Sequence, residues 1–328
     1  MSRLNSLVDS GVAVAEVALA PLTTYKFGGP ARWFVAADDA ATVGESIEAA
    51  LEDAVPYLIV GRGSNLVVSD RGFDGLVVRL GGSFASATVA ESGVVSAGAA
   101  MPLPKLARLC AKHGRGGLEF LVAVPGSVGG AVRMNAGCHG SETGEWLLRI
   151  EVYRPDHGLV MIERSEMEMT YRHNSLPAQD VVLTAQFKTE DRPRDESEEI
   201  MRSITQWRKE HQPGGTFNAG SVFKNPEGTS AGWLIDSLGL KGFQVGGAKV
   251  SERHANFFEA SPAAKAQDVY DLVWQIRQRV AAATGVRLEP EIRFAGEFEE
   301  PSPHDHAKEP AGRFNAEAAD DAREAEQT

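Results

Sequence analysis

Three side chains in this chain could carry out chemistry on an anionic substrate. Ser221 lies in the run Asn218-Ala219-Gly220-Ser221-Val222-Phe223-Lys224-Asn225-Pro226. A hydroxyl beside a flexible glycine can serve as a nucleophile or as a proton donor. It is not the G-x-S-x-G elbow, because Phe223 stands two residues beyond it. Read alone, Ser221 is equally a turn residue and Lys224 a solvated charge. Arg172 follows Tyr171, and a guanidinium can grip a planar carboxylate with two parallel hydrogen bonds. Glu291 falls on the polar side of an alternating segment, where pairing with Arg287 or Arg293 is the plainer alternative.

Two glycine-rich stretches could cradle a large ligand. In Gly61-Arg62-Gly63-Ser64-Asn65, closely spaced glycines let backbone amides approach a diphosphate. A Rossmann loop is excluded: the third glycine is absent, and Leu66-Val67-Val68 follows where a helix should start. A plain glycine hairpin remains open. The second stretch runs Pro125-Gly126-Ser127-Val128-Gly129-Gly130-Ala131-Val132, then Met134-Asn135-Ala136-Gly137. So many small residues imply a backbone passing close to something flat or charged. That is either a large cofactor, which a side chain at Gly129 should then expel, or close backbone packing between two domains. The histidines show no metal-ligand spacing, and no metal is expected.

The elements that must position these groups are mixed. Strands are expected at residues 33–36, 57–60, 66–68, 76–80, 94–97, 120–124, 149–153, 159–162 and 181–188. Helices are expected at 41–51, from Pro104 to Gly114, at 194–210, at 231–238 and from Ser261-Pro262 to Gly285. Residues 125–140 read as one long loop. Residues 286–294 alternate as a strand in which Pro290 demands an edge position or a bulge. Without strict βαβ alternation, the class is α+β.

A length of 328 residues calls for two or three domains. The formal net charge of -12 is uneven, since nine acids and three bases fall in residues 299–328. That stretch has little to bury and reads as a disordered acidic tail. The remaining body is mildly acidic, which argues against nucleic acid as a partner. No apolar run suits a bilayer, no signal-peptide layout opens the chain, and two distant cysteines, Cys110 and Cys138, fit a reducing cytoplasm.

Taken in order, several segments resemble the UDP-N-acetylenolpyruvoylglucosamine reductase family. They are Thr23 to Gly29, the Gly61 to Asn65 loop, Gly117 to Phe120, the Pro125 to Gly137 loop and Tyr171-Arg172. Gly220 to Pro226, Gly232 to Gly242, Ser251 to Phe257 and Leu288-Glu289-Pro290-Glu291 complete the set. The resemblance implies a two-subdomain FAD-binding fold of the vanillyl-alcohol-oxidase (PCMH) type, with a smaller α+β substrate-binding domain. The expected division is residues 1–80 and 81–212 for the two FAD-binding subdomains, 213–298 for the substrate-binding domain and 299–328 for the tail. FAD would be held noncovalently by Gly61, Arg62, Gly63, Ser64, Asn65, Pro125, Gly126, Ser127, Gly129, Gly130, Asn135, Ala136 and Gly137.

The same resemblance implies an NADPH-dependent reduction of UDP-N-acetylglucosamine enolpyruvate in peptidoglycan precursor synthesis, by a cytoplasmic monomer. Ser221 would be the proton donor, with Arg172 and Glu291 polarising the enolpyruvyl group and Tyr171, Lys224 and Asn225 at the substrate. The chemistry is consistent with those roles. Adding a hydride to a vinyl ether conjugated to a carboxylate builds negative charge on that carboxylate. Donors placed there in advance are worth about 3–4 kcal/mol each. A protonated Glu291 requires a pKa raised by burial under a closing domain. Serine is a weak acid, and Lys224 is the candidate to stabilise its alkoxide. No NADPH fingerprint is present, so NADPH is expected to visit the flavin transiently in the substrate cleft, giving ping-pong kinetics. Asn174 stands where the family often has serine, Ala260 replaces an asparagine, and the span from Arg172 to Ser221 is too short for a tyrosine clamp loop. A flavin oxidase of the same fold class would need a larger cap than the span after Pro213 allows. A noncatalytic flavin or nucleotide-sugar binder would not need Arg172, Ser221 and Glu291 together.

Overall fold

The computed structural model describes residues 2–214 and 217–301; the acidic tail beyond them lies outside the described residues. The chain divides into two compact units, each built from discontinuous segments. The first comprises Met1–Val17, Ala31–Arg62 and Asp74–Arg208, the second Ala18–Pro30, Gly63–Phe73 and Lys209–Thr328. Residues 18–30 and 63–73, expected with the first FAD-binding subdomain, therefore cluster with the C-terminal part. The α+β class holds, with helices and largely antiparallel sheets in both.

In the first unit, a four-stranded sheet runs in the order Val14–Ala18, Pro30–Ala37, Phe73–Leu80, Tyr57–Val60. Along Pro30–Ala37, Ala31, Trp33, Val35 and Ala37 are buried at every second position, the signature of a strand with one covered face. The helix Ala40–Glu52 starts where the Asp39 side chain accepts the Thr42 amide, and it buries Val43, Ile47 and Ala50. A five-stranded sheet follows, in the order Gly158–Glu163, Leu147–Arg154, Val181–Phe187, Val95–Gly98, Ala87–Val89, antiparallel throughout. One apolar core joins these layers with the Leu103–Lys112 helix.

Two expectations fail here. Residues 120–124 are not a strand. Glu119–Ala123 is a 3-10 turn, because the buried Glu119 carboxylate folds back to accept the Gly117 amide at 2.7 Å and the Ser197 hydroxyl at 2.6 Å. Nor is 125–140 one loop. Val128–Met134 is helical, and Val128, Ala131 and Val132 bury one face at helical spacing. Gly137–Cys138 then pairs with Ser141–Glu142. The small residues masked this periodicity.

The second unit has a three-stranded antiparallel sheet, Gln244–Val245, Ala248–Val250 and Phe258–Ala260, and two helices, Ala231–Ser237 and Ala266–Thr284. Its core gathers Tyr25, Val67, Phe223, Leu234, Phe258, Leu272, Ile276, Leu288 and Ile292. The long helix ends at Gly285 as expected (φ 76) but does not start at Ser261-Pro262. It begins at Ala266, where the Asp70 carboxylate accepts the amides of Ala266 and Gln267 at 3.0 and 3.1 Å. That cap comes from almost two hundred residues away, and a local one, the Asp268 carboxylate accepting the Lys265 amide at 2.9 Å, reinforces it.

Residues 286–294 alternate in burial without forming one strand. Only Arg293–Ala295 is a strand, parallel to Leu66–Val68. Before it, Pro290 bridges Phe223 in antiparallel fashion. The flanking bonds run from the Lys224 amide to the Glu289 carbonyl and from the Glu291 amide to the Val222 carbonyl. Pro290 thus occupies a non-hydrogen-bonded position, where a missing N–H costs nothing.

Candidate active site

In the first unit Gly61, at the start of the first glycine-rich stretch, meets the second stretch. A Cβ on the exposed Gly61 would run into the Ser127 hydroxyl. Ser127 bridges Pro102, and the Leu103 amide donates to the Gly126 carbonyl at 3.1 Å, so the entry to the glycine helix is pinned. Gly129 and Gly130 then differ. A Cβ at Gly129 would lie 2.9 Å from the Ala99 Cβ, so this glycine admits the end of a neighbouring strand. A Cβ at the exposed Gly130 meets only the Ser127 hydroxyl, at 3.8 Å. Pro125, Gly61, Arg62 and Gly130 are exposed residues. A flat group can settle on that surface.

The helix ends on Asn135, which is fully buried and left-handed (φ 43). Its Oδ1 accepts the Gly144 amide at 2.8 Å and its Nδ2 donates to the Thr170 carbonyl at 2.9 Å. Asn135 therefore ties the glycine stretch to the turn that carries Tyr171 and Arg172. The Ala136 carbonyl accepts from both the amide and the hydroxyl of Thr143. Arg172, itself left-handed (φ 53), donates from Nη2 to the Gly137 carbonyl at 2.7 Å. Its guanidinium carbon lies 5.0 Å from the Tyr171 ring centroid, and that ring is 48% exposed. Asn174, where serine was expected, is buried; it donates to the Val132 carbonyl and accepts the Leu176 amide.

Cys138 lies beside this group. Its thiol contacts the Phe120 carbonyl at 3.3 Å, and burial pushes its pKa up to about 11 against the pull of Arg208 and Arg172. Burial likewise holds the Cys110 thiol up at about 12.

The second unit holds Ser221, Lys224, Asn225 and Glu291. Ser221 bridges Phe257, and the next amide, Val222, donates to the Asn256 carbonyl at 2.8 Å. The Val222 carbonyl accepts the Glu291 amide at 2.8 Å, so Ser221 and Glu291 are one peptide link apart across neighbouring segments. Both side chains are partly buried. The Lys224 ammonium bonds the Glu289 carboxylate at 2.7 Å, and Asn225 Oδ1 accepts the Ala231 amide at 3.0 Å. Asn65 spends its side-chain Nδ2 on the Glu291 carbonyl, and its own carbonyl accepts the Arg293 amide. Gly63 packs against the Leu22 carbonyl and accepts the Thr24 amide; Ser64 beside it is partly buried. Tyr25, from the Thr23 to Gly29 segment, is fully buried; its hydroxyl donates to the Phe258 carbonyl at 3.0 Å, and burial raises its pKa. Among the described residues no group of three His, Cys, Asp or Glu side chains could hold a metal, and no helix is long and apolar enough to cross a membrane.

Residues 31–161 match a family model described as an FAD binding domain, and residues 212–295 match the C-terminal domain of UDP-N-acetylenolpyruvoylglucosamine reductase. A protein of that name from Synechococcus sp. (strain WH7803) is 40% identical over 91% of this chain and 97% of its own length. The chain belongs to the UDP-N-acetylenolpyruvoylglucosamine reductase family. A second member, from Bacillus cereus, is 37% identical over 89% of this chain and 98% of its own. The crystal structure of the Thermus caldophilus member superposes with a TM-score of 0.76 at 35% identity, covering 87% of this chain and 98% of that one.

Membership in this reductase family makes the protein a flavin oxidoreductase, with FAD as its cofactor and the FAD-binding fold expected from the sequence. The first unit's residues fit that group. The glycine stretches abut, their exposed glycines leave room for a planar ring system, and Asn135 locks the far end. The sequence did not single out Asn256 or Asp70 as bracing residues, and noted Asn174 only as a departure from the family. Each acts through backbone groups distant in sequence, which spacing alone does not reveal.

Proposed function

We propose that the protein reduces the enolpyruvyl group of UDP-N-acetylglucosamine enolpyruvate to give UDP-N-acetylmuramate, with NADPH as reductant in a ping-pong cycle. The observation that supports this reading is the backbone bond from the Glu291 amide to the Val222 carbonyl, which sets Ser221 and Glu291 of a reductase-family chain on adjacent segments. The Gly61 to Asn65 and Pro125 to Gly137 stretches would hold FAD, which would supply the hydride chemistry between NADPH and the β-carbon of the vinyl ether.

The remaining work falls to side chains. Arg172, oriented by the Gly137 carbonyl, holds the substrate carboxylate as charge grows on it. Glu291, in its protonated form, donates a hydrogen bond to the same group. Ser221 supplies the proton to the α-carbon. Lys224 and Asn225 follow on the same segment and contact the substrate, and Tyr171 offers an exposed ring beside Arg172. Residues 1–80 and 81–212 supply the flavin-binding parts, with Gly61 to Asn65 and Pro125 to Gly137 at the cofactor. Residues 213–298 bind the sugar nucleotide. The protein acts as a cytoplasmic monomer without nucleic-acid or membrane partners.

A titration tests this reading. Purified protein should be yellow, bleach with NADPH under anaerobic conditions, and recover its colour on addition of the enolpyruvyl sugar nucleotide. Bleached protein that stays colourless with that substrate would refute the proposal.

A further inference from the structure

Asn256 is 3% exposed and carries no charge, yet it governs the backbone on which Ser221 sits. Its Oδ1 accepts the Phe223 amide at 2.9 Å, and its Nδ2 donates to the Phe223 carbonyl at 2.8 Å. Its own carbonyl takes the Val222 amide at 2.8 Å, and its own amide donates to His254 Nδ1 at 3.2 Å. One residue thus engages both peptide groups of Phe223 and the amide of Val222.

The reason lies in Pro290. Because Phe223 and Pro290 form a non-hydrogen-bonded pair, the amide and carbonyl of Phe223 point away from Pro290. Phe223 is 1% exposed, so those two groups need partners inside the protein. The Asn256 carboxamide, with one acceptor and one donor side by side, bonds them as a neighbouring strand would.

We infer that Asn256 is a positioning residue for the second half-reaction: it fixes the Ser221–Phe223 segment in the register that aligns Ser221 with Glu291. This rests on the reading above, in which Ser221 donates the proton and Glu291 polarises the substrate. Val222 is the hinge of the relationship. Its amide is held by Asn256 and its carbonyl holds Glu291, so a slip at Phe223 displaces Ser221 and Glu291 relative to each other. Substrate contacts made elsewhere in the protein would persist.

The test uses holoenzyme carrying Asn256→Asp, which keeps the acceptor and loses the donor, and Asn256→Ala, which loses both. Stopped-flow absorbance follows bleaching by NADPH and reoxidation by UDP-N-acetylglucosamine enolpyruvate separately. The expected result is normal flavin content and bleaching, with a half-saturating substrate concentration within about three-fold of the parent. The limiting reoxidation rate should fall by about 10- to 100-fold, the scale of a misplaced reacting group. Ser221→Ala provides the reference. Combined with it, Asn256→Asp should add little, because both act on one step. Unchanged limiting reoxidation in both Asn256 variants, with Ser221→Ala slow, overturns this inference alone, as does a fully multiplicative double variant. Normal reoxidation by Ser221→Ala defeats the underlying reading as well.

Discussion

Arg172 and Gly137 are joined by a hydrogen bond of 2.7 Å from the guanidinium Nη2 to the glycine carbonyl oxygen. The group proposed to hold the substrate carboxylate is therefore anchored on the stretch proposed to hold FAD. A lysine at this position could satisfy the carbonyl or the substrate, but its single ammonium cannot form the planar fork that does both. Arg172→Lys should keep its flavin and bleach normally with NADPH. Its reoxidation by substrate should slow by about 10²-fold or more, the effect of losing one preorganised donor. Single-turnover absorbance would detect it, and an unchanged reoxidation rate would remove Arg172 from the mechanism.

Ser221→Ala separates the two half-reactions most sharply. Reduction by NADPH places no proton on substrate carbon, so bleaching should be normal. Reoxidation should slow by about 10²–10⁴-fold, since the general acid is gone. If bleaching fails instead, Ser221 serves the nicotinamide or the flavin, and Glu291 becomes the next candidate for proton donor.

The neighbouring glycines Gly129 and Gly130 should respond in opposite ways. Gly130→Val adds bulk on an exposed face, so it should yield folded, colourless protein whose melting temperature matches flavin-free parent. Gly129→Val drives atoms into Ala99, and overpacking of this kind costs about 1–3 kcal/mol. Its defect should appear as a lowered melting temperature, even in flavin-free protein. Full flavin content in Gly130→Val would place the cofactor elsewhere.

Cys138 makes a prediction about pH. Its folded-state pKa of about 11 exceeds the ordinary 9.0, chiefly through burial. The unfolded chain therefore releases this proton first. The stabilisation is complete below about pH 9 and fades as pH rises toward 11. Cys110 acts in the same sense. Melting temperatures measured from pH 8 to 11 should fall, and Cys138→Ala should flatten part of that slope. An identical slope in the variant would show that other groups dominate.

The α+β class, eight of the expected strands and most helix ends were legible because burial follows local spacing: alternate positions in Pro30–Ala37, helical positions in Ala40–Glu52, and Gly285 as a stop. Val14–Ala18 and the three-stranded sheet of the second unit were not expected. Two of the failures involve long-range bonds. Glu119 turned an apolar run into a 3-10 turn through Gly117 and Ser197, seventy-eight residues distant in the latter case. Asp70 set the start of the Ala266–Thr284 helix, displacing the expected Ser261-Pro262. Residues whose bonds are long-range announce nothing in the neighbouring sequence. The candidate site was legible as a set of residue types in order. Its supports, Asn135 excepted, were not, because an asparagine that braces a backbone looks like any other asparagine.

The Leu66–Val68 strand pairs with Arg293–Ala295, and Asp70 caps a helix that begins at Ala266. During synthesis at roughly 5–20 residues per second, residues 63–73 emerge early and then wait many seconds for those partners. Throughout that delay, the apolar edge of Leu66–Val68 is available to anything nearby. Expression yield should therefore depend on what shields nascent chains more than on how stable the finished enzyme is. A fragment cut to residues 212–295 would in turn lack both the strand and the aspartate its helix needs.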